Sequence, residues 1–256
     1  MPRDHQRLDS ETLDRLRTLS TPTVSNGWEQ ITRADAASTG FNVEPVVDFM
    51  PELGPMVGYA ATLVIEPSNP GHRSTAAWEG WREYVASEPG PKIVVVQDLD
   101  KPAVAGAFWG EVNSTVHRGL GCVGTIVDGG VRDLEEMRGV GFKAIAARAC
   151  VGHAHVCPVR WGEPVGVFGR VVDPGRLIHA DHHGFLVIPP EDEAELLGAT
   201  LAMDEIERTT VIAAGAREYG SPAERLEALR TAGAEFDLRV QERFGGQGEF
   251  GAPAGG

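Results

Sequence analysis

Cys122-Val123-Gly124-Thr125-Ile126-Val127-Asp128-Gly129-Gly130-Val131-Arg132-Asp133 is the stretch that decides how this 256-residue chain folds. Its first half is apolar and rich in β-branched residues, the pattern of a strand buried on both faces. Two glycines follow, which permit tight backbone geometry. From Asp133 to Arg138 the spacing predicts a short helix, with Gly139 placed to end it. The same alternation extends both ways. Lys92 to Val96 reads as a buried strand, Val112 to Arg118 as a helix, and Phe142 to Ala147 as another strand. Strand–helix repeats of this length predict an α/β fold with a parallel sheet and right-handed crossovers.

Further out, Met56 to Ile65 reads as a strand entered through Gly58, and Ser74 to Ser87 as a helix holding Trp78, Trp81 and Tyr84. Residues 34–55 read as loop. Val165–Val172 and Leu177–Ile188 are strand-like, separated by the turn signal Asp173-Pro174-Gly175. Leu8, Leu13, Leu16 and Leu19 share one helical face, and Ser20-Thr21-Pro22 opens a second helix. Pro189 to Ala216 reads as one long helix and Ser221 to about Phe244 as another. The expectation is a single domain over 1–244, with helical arms at 8–33 and 190–244 and a flexible, glycine-rich tail at 245–256.

Composition narrows the function classes. A formal net charge of −14 disfavours nucleic-acid binding, because it repels phosphate backbones. It also repels anionic substrates at long range, so an acid substrate calls for a local cation. No apolar run is long enough for a membrane span, and the polar start is unlike a secretory leader. Three cysteines, Cys122, Cys150 and Cys157, with no CxxC pair fit reduced thiols and a cytoplasmic setting.

The chemistry gathers at the strand ends. Gly110-Glu111-Val112-Asn113 lies between an apolar strand and a helix, where unpaired N–H groups can hold a carboxylate. Asp128-Gly129-Gly130 ends the next strand, and ligands of open α/β sheets bind beyond such ends. Each feature alone reads equally as an ordinary turn, and Arg132-Asp133 as a surface pair with Asp133 capping its own helix. Together they place an arginine that can grip a carboxylate beside acids that can bind a hard cation such as Mg²⁺ or Mn²⁺. A cation chelated by a 2-oxo acid stabilises an enolate as a Lewis acid.

At Trp109-Gly110-Glu111, then Gly124 to Asp133, then Gly175 to Gly184, the chain resembles the RraA-like family. That family includes the class II 4-hydroxy-4-methyl-2-oxoglutarate aldolases and the RraA regulators of ribonuclease E. The resemblance covers roughly residues 10–215. It implies a swivelling β/β/α fold with flanking N- and C-terminal helices, and a homotrimer or hexamer with sites between subunits. It also implies a divalent-metal-dependent carbon–carbon lyase. Such an enzyme cleaves a 4-hydroxy-2-oxo acid to pyruvate and a carbonyl product, and can also decarboxylate oxaloacetate. By the same resemblance Asp133 is the metal ligand, and Arg132 holds the substrate carboxylate and enolate oxygen. Gly110 lets substrate approach, the Val112 and Asn113 amides receive the pyruvyl carboxylate, and Glu111 orders a water for proton transfer. Glu136 matches the last acid of the Arg-Asp-x-x-Glu motif, and Asp204, Glu205 or Glu207 supplies the neighbouring subunit's acidic contact. The gap from Gly110 to Arg132 is one residue longer than the family's, and Glu111 replaces a shorter side chain. The alternative function is a non-catalytic regulator that binds a ribonuclease or another protein.

Two histidine groups stand apart. His153 and His155 read as loop residues at the pocket rim. The cluster His179-Ala180-Asp181-His182-His183 looks like a metal site, but reads better as hydrogen-bonded scaffold. No GxSxG elbow, P-loop or Rossmann fingerprint is present.

Overall fold

A computed structural model describes residues 7–35 and 40–245, so the expected tail lies outside the described residues save for Gly245. The chain divides into two compact units: residues 1–21 with 34–193, and residues 22–33 with 194–256.

The first unit is built on one mixed sheet. Its strands are β1 (Val47–Asp48), β2 (Met56–Ile65), β3 (Lys92–Asp98), β4 (Ala107–Trp109), β5 (Cys122–Val131), β6 (Lys143–Ala149), β7 (Pro158–Trp161), β10 (Leu177–Asp181) and β11 (Gly184–Ile188). The order is β1-β6-β5-β3-β2-β10-β11, with β4 paired to β5 and β7 to β2. Strands β2, β3, β5 and β6 run parallel, whereas β1, β7 and β10 pair antiparallel to them. A separate hairpin joins β8 (Val165–Val167) to β9 (Arg170–Val172).

Both faces of the parallel strands are covered, which explains their unbroken apolar runs. On β3, Val94 and Val96 face a core containing Trp81, Val85, Met137 and Phe142. These come from the helical side, α3 (Thr75–Ser87), α5 (Leu134–Gly139) and the loop after it. Ile93 and Val95 face the opposite core, with Val165, Val167, Phe168 and Phe185 from the two β-hairpins. The layers are therefore helix, sheet and β-hairpin, the β/β/α order expected. Trp81, Trp109 and Phe142, each at 0% exposure, are among the largest side chains of the helical-side core.

Helix ends are closed by specific groups. Asp9 caps α1 (Ser10–Leu16) through Thr12 N–H, and Ser74 caps α3 through Ala77 N–H. The buried Lys92 ammonium donates to the Val85 and Glu88 carbonyls at the end of α3, at 2.9 and 2.8 Å. Burial holds the Lys92 pKa below its usual value. Within the first unit His179 ties the sheet to the segment that closes α1: Nδ1 meets the hydroxyl of Thr21, first residue of α2 (Thr21–Glu29), at 2.9 Å and Nε2 the Leu16 carbonyl at 3.0 Å.

The second unit holds α6 (Glu193–Thr209, from its second residue), α7 (Val211–Ala216) and α8 (Pro222–Phe244). Met203, Ile206, Phe236 and Val240 form its core. The long helix expected over 189–216 breaks at Thr210, whose φ of −113° and ψ of −95° leave the helical region. The hydroxyls of Thr209 and Thr210 bond back to the Glu205 and Ile206 carbonyls, competing with the helix ladder there. Ser221 caps α8 through Glu224 N–H, and Gly245 closes it in the left-handed region at φ 70°. Among the described residues no helix is long and apolar enough to cross a membrane.

Candidate functional site

Strand β4 creates the site. Alongside β5, β3 pairs only as far as Val96 opposite Val127. Beyond that point β4 takes its place, with Ala107 opposite Gly130 and Trp109 opposite Val131. The strand end carrying Gly110 is thereby set beside Arg132, whose N–H donates to the Trp109 carbonyl at 3.1 Å. Helix α4 (Glu111–Gly119) starts there.

A cleft of about 280 Å³ opens at this junction. Gly110, Val112, Asn113, Arg132 and Asp133 line it, together with Trp78, Arg82, Phe108 and His153. Five of the six predicted site residues thus converge. Glu111 is the exception: its side chain is exposed and outside the lining.

Asp133 is held by an unexpected bond. It occupies the N-cap of α5 in the left-handed region, φ 53° and ψ 48°, yet makes no side-chain cap there. Instead its Oδ2 accepts the Glu111 N–H of α4 at 3.1 Å and lies 3.4 Å from Arg132 Nε. The reading of Asp133 as a cap for its own helix is corrected: the left-handed backbone turns the carboxylate toward α4. Such a conformation is uncommon outside glycine, and aspartate is among the residues that tolerate it. Gly110 is required by space: a Cβ there would stand 2.5 Å from Asp133 Oδ2 and 3.2 Å from Arg132 Nε.

Behind the cleft the packing is rigid. Asn113 donates through Nδ2 to the Phe108 carbonyl at 2.7 Å, locking α4 to β4. His117 Nδ1 donates to the Asn113 carbonyl at 2.7 Å, and Nε2 accepts the Trp81 Nε1–H at 2.8 Å. Burial pushes the His117 pKa down to about 4, so the ring is neutral. Trp78 stacks on Phe108 with centroids 5.2 Å apart, and Arg82 lies 5.5 Å over the Trp78 ring. Arg82 escaped the sequence reading. Its position one turn after Trp78 on the same helix was the available signal.

Other candidates separate from the cleft. Asp128 is buried at the irregularity where β5 and β6 slip register between Val127 and Gly130. Its Oδ1 accepts the Asp98 N–H at 2.8 Å and its Oδ2 lies 3.4 Å from Lys101 Nζ. The expected cation-binding acid is therefore committed to the scaffold. Gly129 makes room for Asp98, whose Oδ2 would stand 2.5 Å from an added Cβ. That buried oxygen has no partner among the described residues, and burial raises the Asp98 pKa to about 6. Glu136 is exposed and outside the lining. In the second unit Asp204 pairs with Arg208, Glu205 with Arg239 and Glu207 with Asn26. Burial raises the Cys122 thiol to about 12, which leaves it unreactive.

His153 lines the cleft, as expected of a rim residue, and its Nδ1 donates to the Ala154 carbonyl at 2.9 Å. His155 does not line it. Asp181, His182 and His183 are the one group of three among the described residues whose metal-ligand atoms lie within 4.8 Å of one another. Asp181 is occupied, however. Oδ2 accepts the Thr21 N–H, and Oδ1 the His183 N–H, both at 2.8 Å.

For a divalent cation in the cleft, Asp133 offers one carboxylate. Its Oδ1 makes no bond among the described residues, and the cleft is open to water. That set fits Mg²⁺ or Mn²⁺, which keep several waters and take one or two carboxylates plus substrate oxygens.

Comparison with known proteins agrees with this architecture. Protein DlpA of Legionella pneumophila is 26% identical over 150 residues, 57% of this chain, and the match spans only 24% of DlpA. An uncharacterized protein from Pseudomonas syringae superposes with a TM-score of 0.68 at 20% identity, over 90% of this chain and 98% of that one. Streptomyces coelicolor RraAS2, described as an unusual member of the RNase ES inhibitor RraA protein family, gives 0.57 at 23% identity, over 80% and 97%. These two structures share the fold. The sequence pattern of the RraA-like family, Aldolase/RraA, matches residues 21–187, from α2 through every strand of the first unit, and the chain belongs to that family.

Proposed function

We propose that this protein is a divalent-metal-dependent carbon–carbon lyase acting on 4-hydroxy-2-oxo acids, and able to decarboxylate oxaloacetate. The observation that carries this reading is the meeting of Asp133, Arg132 and the α4 N-terminus in one cleft. A binding module of the same family needs none of these groups to converge.

The N–H groups of Val112 and Asn113 stand in the first turn of α4, where no helical carbonyl reaches them. They receive the substrate carboxylate. Arg132 places its guanidinium against the 2-oxo oxygen and stabilises the negative charge that develops there as C3–C4 breaks. A cation bound at Asp133 would supply Lewis acidity to the same oxygen. Glu111, acting through a water, takes the proton of the 4-hydroxyl group, and that proton returns to C3 of the enolate. The products are pyruvate and a carbonyl compound, so atoms and charge balance. The Glu111 side chain is exposed and outside the cleft lining, which suits a water relay better than direct contact. We place the protein in a homotrimer or hexamer, with the cleft completed by a neighbouring copy.

The test is pyruvate release from 4-hydroxy-2-oxo acids and from oxaloacetate, with Mg²⁺ or Mn²⁺ and again with EDTA. Release that needs the metal and is lost in Asp133→Ala supports the reading. Metal-independent release, or full activity in that variant, overturns it.

A further inference from the structure

A second cleft of about 260 Å³ lies at the other end of the sheet, where β2, β5 and β6 begin. Arg17, Arg118 and Lys143 line it, together with Leu53, Met56 and Val123. Three cations and no carboxylate in the lining is an unusual local balance for a chain of net charge −14.

The cations are unequally engaged. Arg118, exposed at the end of α4, has no ion pair among the described residues. Arg17 pairs only with Asp14, at 3.0 Å, and those side chains are 38% and 69% exposed, so water screens the pair heavily. Lys143 is buried. Its ammonium donates to Asp48 Oδ2 at 2.5 Å and to the Met50 carbonyl at 3.0 Å. An ammonium has three donors, and this 2%-exposed lysine has two acceptors among the described residues, which leaves one N–H for a ligand. A buried donor left unsatisfied is costly, and a buried cation favours any anion that reaches it. Arg17 and Arg118 are also suited to the negative ends of α1 and α4. That role does not account for the open donor of Lys143, nor for both guanidinium groups lining one apolar-floored cleft.

We propose that this cleft binds a small organic anion, a carboxylate or phosphate with a short apolar part. The anionic group accepts from Lys143 and is flanked by Arg17 and Arg118, and the apolar part packs on Leu53, Met56 and Val123. The size is below that of most drug-like pockets, so the ligand is a metabolite of a few carbons rather than a nucleotide or peptide. The site is separate from the Arg132–Asp133 cleft and does not depend on the function assigned there.

Met56 supplies a local probe. The protein, labelled with ¹³C at methionine methyl groups, is titrated with inorganic phosphate and separately with butyrate. A saturable shift of the Met56 methyl is expected with at least one of them. Phosphate alone would identify a bare phosphoryl site, and butyrate a carboxylate with an apolar tail. In the double variant Arg17→Ala/Arg118→Ala the dissociation constant should rise about tenfold or more, from the loss of both flanking cations. Both residues are surface-accessible, and an unchanged melting temperature verifies the fold. Lys143 is left in place, because removing it would strand the buried Asp48 carboxylate. Arg132→Ala should leave the Met56 shift intact. No saturable shift at millimolar anion, or equal binding by the double variant, overturns the proposal.

Discussion

Asp133 begins one helix and caps another: from the N-cap of α5 its Oδ2 accepts the Glu111 N–H of α4 at 3.1 Å. One carboxylate thus couples the two strand ends that form the cleft. It also fixes where a cation bound by Asp133 would lie relative to the free amides of Val112 and Asn113.

The coupling makes Gly110 sensitive. In Gly110→Ala the new Cβ would meet Asp133 Oδ2 at 2.5 Å, so the carboxylate must leave the Glu111 N–H. Loss of that cap should cost about 1 kcal/mol of stability, and the displaced carboxylate should lower pyruvate release about tenfold or more. Gly139→Ala is the control, since nothing lies within 4 Å of its Cβ position. Thermal melts and turnover on both variants check the contrast; equal activity in the two would count against the coupling.

Asp133→Asn separates fold from chemistry. Asparagine tolerates the left-handed backbone and keeps an acceptor for the Glu111 N–H. The melting temperature should hold while metal-dependent turnover falls by about a hundredfold or more. Calorimetric titration with Mn²⁺ should show weakened binding in the variant.

Arg82 should influence substrate choice. It stacks over Trp78 inside the cleft and has no carboxylate partner among the described residues. Arg82→Ala should raise KM for substrates with a second carboxylate, such as oxaloacetate, by about tenfold. A 4-hydroxy-2-oxo acid with an uncharged tail should show little change in kcat/KM. A matching loss for both substrates would mean that Arg82 acts on the fold rather than on the ligand.

Two buried groups predict opposing pH effects. The folded pKa of Asp98 is raised to about 6, so its contribution is fully present below its unfolded value and is lost as pH rises through 6. The folded pKa of His117 is depressed to about 4, so its contribution is present above its unfolded value and is lost as pH falls through 4. Each effect amounts to about 3 kcal/mol at most, and over the same range they largely cancel. Denaturant melts of parent and variants from pH 4 to pH 7 isolate each group as a difference between curves. Asp98→Asn should gain stability relative to the parent as pH rises. His117→Gln should show a smaller acid-side loss than the parent.

Much of this was legible in the sequence because it rests on local pattern. The apolar runs at 92–96 and 122–127, the glycine-ended helices and the turn at Asp173-Pro174-Gly175 specify strands and crossovers without reference to distant residues. Gly110, Arg132 and Asp133 stood out because a tight glycine and an adjacent charge pair are local features too. What the sequence could not determine depends on pairing between distant segments. Only the tertiary structure sends Asp128 into the scaffold with Asp98 and Lys101, because that choice turns on the slip of β5 against β6. Only the fold brings Arg82 and Trp78 into one cleft with Arg132, since α3 and the end of β5 are far apart in sequence. The same holds for Arg17, Arg118 and Lys143, three residues with no shared motif that meet because three strands begin at one end of the sheet.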